Sequence, residues 1–226
     1  MTNVEAALAM VANGMTVGLG SGHAAERFIA ALGQRARAGL TIRGVPTSKA
    51  SAALAVQAGI PLVELADALP IDMTCDGADE VDPDLNLLKG FGHALVREKI
   101  VAAASKMLVI LIGPEKVSEK LVDRLGQRGQ LPVEVVPFAL PLCLRRFAEL
   151  GFDSEVLHDS GGAPFITDNG NRIVHLKVRP IADAKELEGK LRDIPGVVGT
   201  GLFLNLADCV LIENNGSVEV RKRQHA

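Results

Sequence analysis

Short runs rich in apolar residues recur through the first half of the chain, at residues 15–19, 41–45, 60–65, 71–75 and 107–112. Segments with helical spacing lie between them, at 4–11, 23–32, 49–58 and the stretch that carries Glu98. Runs of this length that are mostly apolar and lack a strict period-two alternation suit strands covered on both faces. Strands that alternate with helices imply crossover connections, and hence a mostly parallel sheet with helices on its faces. The punctuation agrees. Asn13-Gly14 and Gly59 stand where helices should stop, and Thr47 or Ser48 stands where one should be capped.

The rhythm changes at Leu131. Residues 132–136 read as a strand, 139–150 as a helix, 154–157 and 172–177 as strands, 181–194 as a helix and 197–203 as a strand. That order, β-α-β-β-α-β, is the ferredoxin-like pattern. The expected fold class is therefore α/β: a Rossmann-like domain of residues 1–131 and 207–226, with a smaller inserted ferredoxin-like α+β domain at 132–206. A hairpin of 207–212 and 218–221 around Asn214-Asn-Gly216 should return the chain to the first domain.

Polar residues concentrate between Cys75 and Lys99. The strand at 71–75 runs into Asp76, Gly77, Ala78, Asp79 and Glu80; Lys89 follows, then Gly90, Phe91 and Gly92, then the segment with Glu98. Ligands of open α/β sheets sit beyond the carboxyl ends of strands, where Asp76 falls. Glu98 has Ala94, Leu95, Val101 and Ala102 as its helical neighbours, so it lies on an apolar stripe. Burial there raises a carboxyl pKa toward the range of a general base. The plain alternative is an ion pair with Arg97, Lys99 or a remote cation. Glu80 and Asp82 are read as members of an ordinary polar turn.

The other candidate loop is Gly20-Ser21-Gly22, between a strand and a helix that begins at His23. Bare backbone N–H groups and the helix dipole at such a junction suit a phosphate. A dinucleotide fingerprint is not met, because His23 stands where its third glycine belongs and the strand at 41–45 ends without an acidic residue. A tight turn without a ligand is the alternative reading of the loop.

Asp76-Gly-Ala-Asp-Glu80, Lys89-Gly90 and Arg97-Glu-Lys99 resemble the signature of the type A ribose-5-phosphate isomerases in order and spacing. The resemblance continues through Leu131-Pro-Val-Glu-Val135, Thr167-Asp-Asn-Gly-Asn171, Pro195-Gly-Val-Val198 and Gly201-Leu-Phe203. It implies a two-domain aldose–ketose isomerase for ribose 5-phosphate and ribulose 5-phosphate, acting through an enediolate in the pentose phosphate pathway. No metal or organic cofactor is implied, and a homodimer or homotetramer is. Carried over residue by residue, Glu98 becomes the base, Asp76 and Lys89 its catalytic partners, and Asp79 a ligand of substrate hydroxyls. Ser21, Gly22, His23, Ala24, Gly77, Ala78, Gly90, Phe91, Gly92 and Lys120 complete the expected substrate site. Two departures stand out. The family's G-T-G-S-T loop ends here in His23-Ala24, so His23 either replaces lost hydroxyl donors or is a solvated helix-start residue. The family's glycine-rich turn after the lysine is interrupted by Phe91 and His93, which either narrow the pocket or pack outward.

The net charge of −3 gives no basic footprint for nucleic acid or an anionic membrane surface, and no apolar run approaches a membrane span. The three cysteines follow no metal or redox spacing and read as buried thiols of a cytoplasmic protein. Two other readings remain: a sugar-phosphate sensor without turnover, and an isomerase of another phosphorylated aldose. Turnover of ribose 5-phosphate separates the first, and a panel of sugar phosphates the second.

Overall fold

Period-two sorting along buried strands decides what each face of the main sheet meets. In the computed structural model, which describes every residue except Glu115, Lys116, Asn215 and 224–226, that sheet has six strands. They are β1 (Thr16–Leu19), β2 (Arg43–Pro46), β3 (Met73–Gly77), β6 (Leu108–Ile112), β12 (Cys209–Asn214) and β13 (Ser217–Lys222). Their order is β13-β12-β6-β3-β1-β2, parallel throughout except for the β12–β13 hairpin. Val17, Leu19, Met73, Cys75, Val109 and Leu111 face one core, with α1 (Asn3–Leu8), α2 (His23–Arg37) and α3 (Lys49–Ala58). Leu108, Ile110 and Ile112 face the other, with α4 (Leu95–Ala103). Asp76 pairs with Ile110 in register, so its carboxylate emerges on the α4 side.

Two-residue strands β4 (Glu80–Val81), β5 (Leu87–Leu88) and β11 (Leu202–Phe203) form a three-stranded antiparallel sheet below α4. Sequence periodicity cannot register strands so short. The four-stranded antiparallel sheet has the order β10-β7-β9-β8, built from β7 (Gln130–Val135), β8 (Ser154–Val156), β9 (Arg172–Lys177) and β10 (Val197–Thr200). With α6 (Leu140–Glu149) and α7 (Ala184–Arg192) it follows the expected β-α-β-β-α-β sequence.

Two expectations change. Residues 60–65 make a single bridge, Leu62 to Gly44, and not a strand; Leu65–Asp67 already coil as a 3-10 turn at the sheet edge. The run 197–203 is divided at Gly201, whose N–H donates to Pro132 O and whose carbonyl accepts from Lys89 N, so its two halves join different sheets. Among its described residues the stretch 113–125 holds one short helix, α5 (Val117–Lys120), because Val122 N–H donates to Val81 O and the loop beyond is held by Glu80; residues 115 and 116 of that stretch, and Asn215 of the hairpin turn, lie outside the described residues. Cys75, Cys143 and Cys209 are buried thiols. Among the described residues no helix is long and apolar enough to cross a membrane.

Candidate active site

The glycine loop is drawn onto Asp76. Gly20 N–H donates to Cys75 O at 3.0 Å, and a Cβ on Gly20 would stand 2.3 Å from Asp76 Oδ1. Ser21 N–H and Gly77 N–H donate to that same oxygen at 3.1 and 2.7 Å. Gly22, with φ of +84°, then turns the chain into α2. The Ser21 hydroxyl lies 2.8 Å from Thr47 Oγ1 and 2.7 Å from Ser48 Oγ. Ser48 is also the N-cap of α3, accepting from Ser51 N–H, so its capping role and its contact with the loop coexist.

Asp76 Oδ2 lies 2.9 Å from Lys89 Nζ, and Glu98 Oε2 lies 3.3 Å from the same nitrogen on its other side. Lys89 Nζ also donates to Gly77 O. The three residues keep only 2%, 4% and 3% of their surface exposed. Their positions have separate origins: the end of β3, the first turn of α4, and the turn after β5, where Gly201 O fixes the Lys89 backbone. The Lys89 ammonium stands 5.6 Å from the centre of the Phe203 ring, and Lys99 stands 5.0 Å from it.

Burial raises the Asp76 carboxyl, against the pull of Lys89. Burial likewise pushes Glu98 up to about 8, with Lys89 opposing and Asp76 and Asp79 adding to the shift. For Lys89 burial works against the charge, but the facing carboxylates of Asp76 and Glu98 outweigh it and hold its pKa above the ordinary value. One ammonium can neutralise one buried carboxylate. The two carboxyl groups compete for that one charge, which favours a proton on one of them, and the set titrates as a unit.

A cavity of 360 Å³ opens over this set, within the range of small-molecule sites. Of the expected site residues, Ser21, Gly22, His23, Ala24, Gly77, Ala78, Asp79, Lys89, Gly90, Phe91, Gly92, Glu98 and Lys120 line it. Asp76 stands behind the lining, in contact with Lys89. Asp79 accepts from Phe91 N–H at 3.3 Å and lies 3.5 Å from Arg128 Nη1. Phe91 narrows the cavity, with its ring 5.1 Å from the Arg128 guanidinium. His93 packs outward on Phe165, their rings 4.8 Å apart. The His23 side chain is 78% exposed, with Nδ1 3.9 Å from Glu26 Oε2.

Glu80 corrects the reading of a polar turn. It is fully buried and accepts the N–H groups of Gly126 and Arg128, fixing the loop that carries Arg128 to the cavity. Asp82 does serve a turn, accepting from Asn86 N–H and Nδ2. Two cavity cations escaped the sequence reading, Arg27 and Arg128. Arg27 follows His23 by one helical turn, and that i,i+4 spacing was a usable signal. Arg128 had none, since Glu80 places it across 48 positions.

A proton-transfer enzyme of the α/β class, with a site for a small polar ligand, is what this arrangement defines. The sequence model of ribose 5-phosphate isomerase A (phosphoriboisomerase A) matches residues 43–216. Ribose-5-phosphate isomerase A of Roseiflexus sp. (strain RS-1) is 46% identical over 96% of this chain and 92% of its own. That of Gloeobacter violaceus is 43% identical over 97% of this chain and 94% of its own. Among solved structures, ribose 5-phosphate isomerase A from Methanocaldococcus jannaschii superposes with a TM-score of 0.91 at 39% identity, covering 98% of this chain and 96% of that one. A D-ribose-5-phosphate isomerase in complex with phospho-erythronic acid gives 0.92 at 36% identity, over the same shares. The chain belongs to the ribose 5-phosphate isomerase A family.

Proposed function

We propose that the protein interconverts D-ribose 5-phosphate and D-ribulose 5-phosphate, in the non-oxidative branch of the pentose phosphate pathway. The observation that carries this reading is Glu98: a buried carboxylate with its pKa pushed up to about 8, paired with Lys89 at the wall of a cavity. Moving a proton between C2 and C1 of an open-chain sugar needs one base that takes it from carbon and gives it back to the neighbouring carbon. Glu98 does this. Its removal of the C2 proton leaves an enediolate; a proton passes from O2 to O1, and return of the carbon proton to C1 gives the ketose. Lys89 stabilises negative charge as it develops on the C1–C2 oxygens, and Asp76 holds Lys89 and assists ring opening. Asp79 holds sugar hydroxyls. The phosphate lies at the other end of the cavity, against the backbone amides of Gly22, His23 and Ala24, with Lys120 and Arg27 as cations. The phosphorylated sugar acid held by a solved relative supports a phosphorylated sugar as the ligand.

In this reading residues 1–131 and 207–226 form the catalytic domain and 132–206 a supporting one. The enzyme works in the cytoplasm as a homodimer or homotetramer, without metal or organic cofactor. Purified protein should convert ribose 5-phosphate in the presence of a chelator and prefer it over other pentose and hexose phosphates. Tight binding without conversion would mean a sensor, and faster conversion of another aldose phosphate a different isomerase.

A further inference from the structure

Arg97 and Lys99 flank Glu98 in sequence, yet neither pairs with it. Arg97 Nε donates to Asn169 Oδ1 at 2.8 Å, and its Nη2 donates to Asp168 O at 3.2 Å. Lys99 Nζ lies 3.2 Å from Glu188 on α7, and Glu188 is in turn bonded to the Thr200 hydroxyl. Both neighbours of Glu98 are thus fastened to the part of the chain that carries the four-stranded sheet. The loop that receives Arg97 is itself fixed. Glu134, fully buried on β7, accepts through one oxygen from Thr167 Oγ1, Asn169 Nδ2 and Asn171 Nδ2, at 3.1, 3.1 and 2.8 Å. Its amide nitrogen held by a carboxylate, Asn169 must present its oxygen to Arg97. On its other side the loop reaches α3: Asp168 Oδ2 accepts from Lys49 N–H at 2.7 Å, and Lys49 follows Ser48, which touches Ser21.

The first turn of α4 needs such support. Its N-cap, Ala94, offers no side chain to the free amide groups, and Glu98 sits in that turn. We propose that Arg97 and Lys99 are positioning residues: through Asn169 and Glu188, the second domain clamps the first turn of α4 and so sets where the Glu98 carboxylate stands. This rests on Glu98 being the proton carrier of the proposed reaction. Within the site Glu98 faces Lys89, Asp76 and Asp79, so loosening the turn changes both its reach and its solvation.

The test compares the parent with Asn169→Ala, Arg97→Ala and the double variant. Each single change should lower kcat about tenfold while KM for ribose 5-phosphate moves less than about twofold. The double variant should be no worse than either single one, because both cut one tether. A second readout needs no turnover: the Glu98 carboxyl carbon, observed by NMR and assigned by its loss in Glu98→Gln, should titrate lower in Asn169→Ala than in the parent. If the parent titrates near 8 but does not convert the sugar, the proposed reaction fails while the clamp is still decided by the titration. Should Asn169→Ala not fold, Arg97→Met removes the same tether without touching a buried carboxylate. Folded variants with the parent's kcat and the parent's Glu98 titration overturn the proposal, as do losses that multiply in the double variant.

Discussion

In the proposed reaction Glu98 must be ionised to take a proton from carbon, and its surroundings oppose ionisation. With its pKa raised to about 8 by burial, the carboxylate form grows as pH rises through that value. The log of kcat/KM for ribose 5-phosphate should therefore climb with unit slope below about 8 and level off above it. Glu98→Gln should lower kcat by about 10²–10⁴-fold and remove this limb. An acid limb near 4–5 in the parent would place the base elsewhere. At the end of the cavity proposed for the phosphate, Arg27 lines the wall from α2 while His23 is largely exposed. Arg27→Ala should raise KM about tenfold, with an effect that shrinks at high salt. His23→Ala should change KM less than about threefold, since the backbone amides remain. The reverse ranking would make His23 the replacement for the hydroxyls that the family's loop carries.

Elements place these residues by contacts that side chains do not advertise. Gly201 connects β10 with β11, and a Cβ there would meet Lys89 O at 2.3 Å. Gly201→Ala must push the Lys89 turn aside. It should lower kcat at least tenfold and cost about 1–3 kcal/mol of stability, measured by denaturant unfolding; a variant with the parent's midpoint and turnover would show that the turn yields freely. What the sequence revealed follows the same division. The burial of Glu98 was legible because its helical neighbours Ala94, Leu95, Val101 and Ala102 are all apolar, and all four are buried; its ion pair with the remote Lys89 fits the plain alternative, and its catalytic role came from the resemblance alone. The glycine loop and Ser48 cap were legible because their signals are local. Glu80 was misread because its partners Gly126 and Arg128 lie far along the chain. Lys89 could be named from the resemblance, but its burial depends on β11 and Gly201, which no local pattern announces.

At the scale of the whole molecule the two antiparallel sheets make sense as supports. The three-stranded one leads into Lys89, and the loop before β9 and helix α7, both attached to the four-stranded one, hold both neighbours of Glu98. The separate antiparallel sheet was readable from the change of rhythm at Leu131; its contacts with α4 were not, since Arg97 and Asn169 are 72 positions apart. The buried group of Asp76, Lys89 and Glu98 has a consequence for calorimetry. A site in which two carboxylates share one neutralising cation exchanges hydrogen ions with the buffer whenever its electrostatic surroundings change. A dianionic sugar phosphate entering the cavity makes ionisation of that group harder still. Binding at pH 8–9, where the ligand's own phosphate is already fully ionised, should draw hydrogen ions out of solution. The heat of binding a non-reactive sugar phosphate should then differ between buffers in proportion to their ionisation enthalpies. The dependence should fade below about pH 6 once the ligand's own ionisation is subtracted, because the site then already holds its hydrogen ion. In Glu98→Gln it should be largely gone at any pH. Buffer-independent heats at pH 8–9 would mean that the group changes charge only during turnover.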